Sequence, residues 1–233
     1  QKAFSQIMGA ERLSALGQMA AGVAHEINNP LGGILLYSNL VLEDMDEQDP
    51  RRENMEKIIY QTNRCKEIVQ NLLDFSRTPS GEMIPLDINA VIHTSIDLIK
   101  DQPQFSQLTI ATDLAPGLPQ VSGDRLRLEE VFLNLLTNAA DALQGTGTIT
   151  IQTAPAGDNL IEILVADDGP GIDESFLPHI FEPFFSTKEP GVGTGLGLSI
   201  TYSIIRNHNG SIRAQSKPGQ GTCFTILLPA YVS

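Results

Sequence analysis

The chain is 233 residues long and carries 28 acidic against 15 basic side chains, a formal net charge of −13. Its apolar fraction of 41% is ordinary for a globular protein, which favours a folded chain over a disordered one. The excess of acidic side chains disfavours binding to nucleic acid or to an anionic membrane, because both are bound through clustered lysine and arginine. We therefore expect no nucleic-acid partner.

The two cysteines, Cys65 and Cys223, lack the spacing that zinc or redox sites need. We expect both to be buried free thiols in a reducing cytosol. The longest apolar runs fall short of the roughly 20 residues that a membrane-spanning helix requires, so we expect this portion to be soluble and cytoplasmic. Because the chain begins at Gln1 without a signal peptide, an upstream sensor or membrane anchor could precede it in a longer parent protein.

The first part of the chain has the pattern of one long helix. From about Ser5 to Met45, apolar residues recur at heptad spacing, which is typical of a coiled coil or helical bundle. One row consists of Leu13, Ala20, Ile27, Ile34 and Val41, and a second of Leu16, Val23 and Tyr37. The segment DEQDPRR then breaks the helix, with Asp49 as an N-cap and Pro50 at the first position of the next helix.

A second helix is predicted from Arg51 to about Arg77. Its apolar rows are Ile58, Cys65 and Leu72 on one side, and Ile68 and Phe75 on the other. Two long helices joined by a short turn form an antiparallel hairpin. One hairpin cannot enclose a core, because each helix has a single neighbour to cover its apolar stripe. Two hairpins together make a four-helix bundle, so we predict a homodimer built on residues 1–80.

The pattern changes after TPSGEMIP, residues 78–85, whose turn formers predict a linker. Beyond it the sequence predicts helices over residues 88–100, 124–143 and 195–207, and strands over residues 108–114, 148–153, 160–167, 211–214 and 223–228. Helices intermixed with antiparallel-looking strands indicate a two-layer α/β sandwich over residues 81–233. The predicted fold class is therefore α+β, with the helical hairpin first.

The helix that Asp124 is expected to cap has one polar and one apolar face. The polar row is Glu130, Asn134, Asn138 and Asp141, and the apolar row is Leu128, Phe132, Leu135, Ala139 and Ala142. A solvated surface face is the simpler explanation of the polar row. Asparagine, however, is a poorer helix former than glutamate, lysine or glutamine, so two asparagines one turn apart suggest ligands. Their amide oxygens would suit Mg²⁺.

Two glycine-containing segments follow this helix. In VADDGPGI an apolar strand ends at Asp167, and Gly169 and Gly171 flank a proline. A tight turn alone would explain one glycine. Two glycines leave the backbone accessible to a flat ligand, and an exocyclic amine of that ligand could donate a hydrogen bond to the Asp167 carboxylate. In FEPFFSTKEPGVGTGLGLS, alternating glycines before an apolar helix could cradle phosphate, with Lys188 as a nearby cation. A flexible loop without a ligand is the alternative, and neither Walker A nor Rossmann spacing is present.

Together these segments resemble a known family. The run from Asn134 to Ala142, then DDGPGI, FEPFFSTK and GVGTGLGLS, resembles in this order the N, G1, F and G2 boxes of the histidine-kinase ATPases, which have the GHKL or Bergerat fold. Near the start of the chain, VAHEINNPL resembles the H box of the dimerisation and phosphoacceptor domain of the same kinases. The five motifs in this order are highly specific, and the resemblance covers nearly the whole chain.

The resemblance implies that the sandwich domain binds ATP and Mg²⁺. Asn138 matches the Mg²⁺-binding asparagine, and Asp167 matches the carboxylate that receives the adenine amino group. Residues 181–193 match the mobile lid over ATP, where we expect Lys188 to contact phosphate. At Asp141 the chain departs from the pattern, since some kinases carry a basic residue there. The implied nucleotide-binding residues are Asn134, Asn138, Asp167, Gly169, Gly171, Ile172, Lys188, Gly193, Thr194, Gly195, Leu196 and Gly197.

The H box contains the candidate phosphoacceptor, His25. On the heptad register of Ile27 it occupies an f position, which is opposite the seam and exposed, so an idle surface histidine is the alternative. A neutral imidazole can attack phosphorus, with Glu26 as base or electrostatic partner. Asn29 matches the asparagine or threonine that, in the family, orients water to hydrolyse the phosphoryl group on a response regulator. Pro30 is expected to kink or loosen the helix.

These features predict an ATP-dependent protein-histidine kinase. It would phosphorylate itself on His25, pass the phosphoryl group to an aspartate in a response regulator receiver domain, and also act on that regulator as a phosphatase. A chaperone, topoisomerase or mismatch-repair ATPase of the same nucleotide fold is a second interpretation, which the H-box hairpin opposes. A binding or dimerisation scaffold without catalysis is a third, which the presence of His25, Glu26, Asn138 and Asp167 opposes.

Overall fold

The computed structural model describes residues 26–76, 82–157, 159–188 and 194–231. The chain divides into two compact units, Gln1–Thr78 and Pro79–Ser233. The boundary predicted after residue 80 falls in a stretch outside the described residues and stays a prediction. Among the described residues, no helix is both long enough and apolar enough to cross a membrane.

The first unit contains two helices, α1 over residues 26–43 and α2 over Arg52–Ser76. Asp49 stabilises the turn before α2, where its Oδ1 accepts the Arg51 backbone N–H at 2.8 Å, but it is not the predicted N-cap, because the first helical hydrogen bond runs from the Met55 N–H to the Arg51 carbonyl. The Arg51 guanidinium also bonds this carboxylate and lowers the pKa of Asp49 to about 2. The helix itself begins at Arg52, so Pro50 lies in the turn and not at the first helical position.

The hairpin leaves the predicted apolar rows on its outside. Ile27, Ile34, Val41 and Tyr37 are 39%, 45%, 42% and 69% exposed, and Ile58 of α2 is 44% exposed. The more covered positions of the first helix and its following turn are instead Asn28, Leu31, Leu35, Ser38, Leu42 and Met45, again at heptad spacing. Within one chain, α1 therefore has two stripes, one covered in the hairpin and one apolar stripe open to solvent.

The second unit is built on a five-stranded sheet with strand order β2-β4-β5-β7-β6. The strands of the unit are β1 Ile84–Leu86, β2 Leu108–Leu114, β3 Val121–Gly123, β4 Gly147–Ala156, β5 Leu160–Asp167, β6 Ser211–Ser216 and β7 Thr222–Pro229. Three helices accompany them, namely α3 Ile88–Ile99, α4 Arg125–Leu143 and α5 Gly197–Asn207. Alternate strand residues such as Ile149, Ile163 and Ile226 are fully buried, which gives the sheet one core face. The predicted two-layer α/β arrangement is confirmed.

Three features of this unit differ from the sequence prediction. Strand β2 pairs with β4 in parallel, with Leu108 opposite Gly147, whereas the remaining pairs in the large sheet are antiparallel. The end of the predicted linker overlaps the first two residues of β1, which pairs with the unpredicted β3 in a small antiparallel sheet. A short 3₁₀-helix, Pro103–Phe105, precedes β2. Such short elements depend on distant partners, which local periodicity does not reveal.

The prediction that both cysteines are buried is wrong. Cys65 and Cys223 are free thiols, but Cys65 is exposed on α2 and Cys223 is half-buried on β7. Cys65 therefore lies on the outer side of the hairpin that the described residues form. Partial burial raises the pKa of the Cys223 thiol, which disfavours its reactive thiolate form.

Candidate functional site

Helix α4 is fixed at its N-terminus by two polar residues. Asp124 is the N-cap, as predicted, and its Oδ1 accepts the backbone N–H groups of Leu126 at 3.1 Å and Arg127 at 3.3 Å. The buried His208, at the end of α5, accepts the Asp124 N–H through Nε2 at 3.0 Å. Its Nδ1 lies 2.8 Å from the Ile204 carbonyl oxygen, so Nδ1 donates and the ring is neutral. His208 thus connects the two helices of the site.

The polar face of α4 points towards the start of α5. Leu128, Phe132, Leu135 and Ala139 are buried as predicted, while Asn134 and Asn138 on the other face are half-buried. Asn134 Nδ2 donates to the Gly197 carbonyl at 3.4 Å. A Cβ added at Gly197 would lie 3.7 Å from Asn134 Oδ1 and 3.9 Å from Asn138 Nδ2. The structure therefore brings the two predicted asparagines together with the N-terminus of α5.

Asp167 ends β5 on the core face of the sheet. It lies between Ile149 of β4 and Thr222 of β7 in the strand register. Its Oδ1 accepts the backbone N–H of Gly169 at 3.0 Å. Partial burial raises the pKa of Asp167, and hydrogen bonds from the backbone of Gly169 and Thr222 oppose part of that rise. A half-buried carboxylate of this kind is a strong acceptor for an N–H donor on a ligand.

The next residue, Asp168, has a role that the sequence motifs did not predict. Its Oδ1 accepts the Thr148 backbone N–H at 2.8 Å, and its own N–H donates to the Thr148 carbonyl at 3.2 Å. A Cβ added at Gly147, whose φ is +145°, would lie 2.6 Å from this Oδ1. Asp168 therefore anchors the turn after β5 to the start of β4, and the second aspartate of DDGPG was the available signal.

Gly171 does not leave backbone open in the way the sequence suggested. Its φ is +73°, and an added Cβ would overlap the carbonyl of Lys217 in the β6–β7 turn. Gly221 of that turn has φ +76° and contacts the Asp167 backbone in the same manner. The Ile172 N–H donates to Ser216 Oγ at 2.7 Å. Two interlocked turns thus hold Asp167 in place, and at Gly171 the absence of a side chain permits this close packing.

The beginning of the predicted lid packs against the start of α5. An added Cβ at Gly195, which has φ +67°, would overlap the backbone of Phe184, itself at φ +67°. Thr194 Oγ1 accepts the Leu196 N–H at 3.3 Å, and Leu196 is fully buried. Gly193 lies outside the described residues. The glycine-rich segment is thus tied to the lid through backbone contact.

Lys188 lies near the end of the described part of the lid. Its Nζ donates to Asp141 Oδ2 on α4, and the two side chains are 34% and 40% exposed. The predicted contact with phosphate therefore has a competitor within the chain. Asp141, the position that departs from the family pattern, is the residue that Lys188 contacts.

The structure describes only part of the H box. His25 lies outside the described residues, whereas Glu26 and Asn29 are exposed on α1. The helix continues through Pro30 to residue 43, and a kink there stays a prediction. Within the described ranges, no group of three or more His, Cys, Asp or Glu side chains could hold a metal ion. A magnesium site would therefore need the amide oxygen of Asn138 and oxygens from a nucleotide, a donor set that suits Mg²⁺.

Comparisons with known proteins agree with this geometry. Residues 123–232 match the family described as histidine kinase-, DNA gyrase B- and HSP90-like ATPase, and residues 15–81 match the His Kinase A phospho-acceptor domain. The signal transduction histidine-protein kinase AtoS of Escherichia coli is 37% identical over 221 residues, covering 94% of this chain and 36% of AtoS. The sensor histidine kinase ZraS of Klebsiella oxytoca is 36% identical, covering 94% of this chain and 47% of ZraS.

Solved structures give the same result. The catalytic domain of histidine kinase ThkA is 30% identical with a TM-score of 0.57, covering 64% of this chain and 96% of that domain. ThkA in complex with the response regulator TrrA is 28% identical with a TM-score of 0.69, covering 99% of this chain and 66% of that one. Full-length ShkA in complex with AMPPNP has the same fold, with a TM-score of 0.78 at 24% identity, covering 93% of this chain and 46% of ShkA.

The chain spans about a third to a half of the length of its curated relatives, 36% of AtoS and 47% of ZraS. Its two matched regions follow each other in the order that the sequence motifs predicted, first the phospho-acceptor region and then the ATPase region. The chain therefore belongs to the sensor histidine kinases and comprises the phospho-acceptor domain and the GHKL-type ATPase domain of that family.

Proposed function

We propose that the chain is an ATP-dependent protein-histidine kinase core that phosphorylates itself on His25 and then phosphorylates an aspartate of a response regulator. One observation carries this proposal: a single unit brings the asparagines of α4 to the glycine-rich start of α5 and holds Asp167 half-buried at the end of β5. Residues 15–81, which include His25, match a phospho-acceptor domain, and this match supports His25 as the acceptor.

In this proposal each group of the ATPase unit has one task. Asp167 accepts a hydrogen bond from the exocyclic amine of adenine, a donor that guanine lacks at the same position. Asn134 and the free N–H groups at the start of α5 bind phosphate oxygens. The Asn138 amide oxygen would hold Mg²⁺, which when bound offsets negative charge on the transferring phosphoryl group.

The transfer step requires a neutral imidazole at position 25. Its lone pair attacks the γ-phosphorus in line, an N–P bond forms, and the bond from phosphorus to the β–γ bridging oxygen breaks, so ADP leaves. The other ring nitrogen then carries a proton that must be stabilised or removed. Glu26, which is exposed on α1, is the nearest carboxylate in sequence and would hold or accept that proton.

We further propose that two hairpins pair through the open apolar stripe of α1 and the exposed positions of α2. Ile27, Ile34 and Val41 recur every seven residues and are each about 40% exposed in one chain. Pairing would remove these side chains from water and complete a four-helix bundle. A dimer in sedimentation experiments is expected, and it should dissociate in Ile34→Asp. A monomeric wild type at micromolar concentration would contradict this part of the proposal.

The same proposal assigns the chain a receiver-domain partner. ThkA has been crystallised with the response regulator TrrA. The match to that ThkA chain covers 99% of the present chain and 66% of ThkA. Asn29 is exposed one turn after position 25, where it could orient a water for hydrolysis of the regulator's acyl phosphate. We expect both transfer and phosphatase activity, in a cytoplasmic portion of a longer sensor protein.

The experiment that tests the proposed function is incubation with γ-labelled ATP and Mg²⁺. Wild type should acquire acid-labile, base-stable label, and His25→Gln should acquire none. Asn138→Ala should also remain unlabelled, because it lacks the amide that holds Mg²⁺, yet it should stay folded and dimeric. Label that persists in His25→Gln would remove His25 from the proposed role, and normal labelling of Asn138→Ala would remove the metal assignment.

A further inference from the structure

The ion pair between Lys188 and Asp141 joins two parts of the ATPase unit that are distant in sequence. Lys188 belongs to the lid segment, and Asp141 lies in the last turn of α4, 47 residues earlier. Among the described residues, it is the one ion pair between side chains more than four residues apart. The contact therefore attaches the lid to the nucleotide-binding helix.

The position of Asp141 on α4 makes this attachment functional. Asp141 follows Asn138 by three residues and Asn134 by seven, so the three side chains share one face of the helix. That face meets the N-terminus of α5 through the Asn134–Gly197 hydrogen bond. The ammonium of Lys188 is thus held next to the side of the site where phosphates would bind.

Breaking the Lys188–Asp141 ion pair requires little free energy, because both side chains are partly exposed to water. Both side chains keep about a third of their surface in water, 34% for Lys188 and 40% for Asp141. Asp141 also lines an open cavity of about 430 Å³ together with Gln104, Gln107 and Gln144. Its carboxylate therefore stays solvated when Lys188 leaves. An exposed pair of this kind shifts an equilibrium by only about two- to fivefold.

We propose that Asp141 is a lid-docking residue, which holds Lys188 while the site is empty and yields it to the phosphates of ATP. This inference rests on the proposed function, because it takes ATP as the ligand. A polyphosphate carries more negative charge than one carboxylate, so it can replace Asp141 as the ion-pair partner of the Lys188 ammonium. Asp141 then acts as a positioning residue. It stabilises the docked lid in the empty site, and it lowers the affinity for ATP because the Lys188–Asp141 ion pair must break when ATP binds.

This mechanism predicts opposite effects of the two partners on ATP binding. Asp141→Asn removes the competitor for Lys188, so ATP should bind about two- to fivefold more tightly. Lys188→Gln removes the cation itself, so ATP should bind about tenfold more weakly, with a smaller loss for ADP, which has one phosphate fewer. In the empty protein both variants should free the lid to the same extent.

The experiment measures hydrogen exchange of residues 181–188 in the empty protein and the Kd values of ATP and ADP by calorimetry. Asp141→Asn and Lys188→Gln should both speed exchange, and the charge swap Asp141→Lys with Lys188→Asp should restore protection. Asp97→Asn is the matched control, because Asp97 makes an exposed ion pair of the same kind, with Lys100 at 2.7 Å, within α3 and not to the lid. The control should change neither lid exchange nor either Kd.

Two results would overturn the inference. One is unchanged lid exchange in both single variants; the other is ATP binding that weakens in Asp141→Asn as it does in Lys188→Gln, since Asp141 would then support binding instead of competing with it. A wild type that binds no ATP would overturn the proposed function, and the exchange measurement on the empty protein would still decide whether Asp141 docks the lid.

Discussion

Truncation of Asp167 tests the assignment of the adenine-binding carboxylate. Asp167→Ala removes the half-buried acceptor at the end of β5 and leaves the Gly169 N–H without its partner. A hydrogen bond to a charged group contributes about 1.5–3 kcal/mol, so ATP and ADP should both bind about 10- to 150-fold more weakly. The size of the loss should be alike for the two nucleotides, because they share adenine and differ only in phosphate.

The assay is isothermal titration calorimetry with ATP, ADP and GTP on wild type, Asp167→Ala and Asp167→Asn. The wild type should discriminate against GTP, because guanine presents a carbonyl where adenine presents an amine and the carboxylate would repel it. Asp167→Ala should lose most of that discrimination. A folded Asp167→Ala that bound ATP within threefold of wild type and still rejected GTP would show that Asp167 does not bind the adenine amine.

The raised pKa of Asp167 gives this prediction a pH-dependent part. Burial makes the folded empty domain hold the carboxyl proton more tightly than the unfolded chain does. Between the ordinary aspartate pKa of about 3.9 and the raised folded value, this group therefore lowers stability as pH rises. Asp167→Asn carries no such charge, so its unfolding temperature relative to wild type should increase through that window. A decrease would contradict the assigned cause of the shift.

The remaining predictions concern the residues that hold the site together. Asp124→Ala removes the cap of α4 and should lower the free energy of unfolding by about 0.5–2 kcal/mol and Tm by about 2–6 °C, while Asp124→Asn should be nearly neutral in thermal unfolding. Asp168→Ala leaves the Thr148 N–H without its acceptor and should cost about 1 kcal/mol in denaturant unfolding, whereas Asp168→Asn keeps the acceptor and should recover it. Thr201 has a buried hydroxyl oxygen with no hydrogen-bond partner among the described residues, so Thr201→Val should raise Tm by about 2–4 °C, and a drop would indicate an unseen partner.

The parts of the fold that the sequence predicted well are those with local signals. Helix α4 was predicted from its N-cap Asp124 to about its last residue Leu143, because its apolar positions follow the helical period over five turns and Asp124 marks its start. Strand β5 was likewise predicted at both ends, since an apolar run begins at Leu160 and ends at Asp167, before the glycines of the next turn. Signals of this kind depend on neighbours in the chain alone.

The parts that it missed depend on distant partners. Nothing local indicates that β2 pairs with β4 in parallel, or that β1 and β3, each three residues long, pair across 35 residues of chain. The same holds for His208, which accepts from Asp124 across 84 residues, and for the Lys188–Asp141 pair. Family motifs supplied the candidate site residues, but the contacts that orient them follow only from the three-dimensional fold.

The proposed phosphorylation of His25 can be tested by locating the phosphoryl group after incubation with ATP and Mg²⁺. Tandem mass spectrometry of peptides kept at alkaline pH, where a phosphoramidate survives, should find the added group on His25. At an ATP concentration near the wild-type Kd, much less of it should be found on Asp167→Ala. A phosphoryl group on a serine, threonine or aspartate, with His25 unmodified in a protein that binds ATP, would contradict the account.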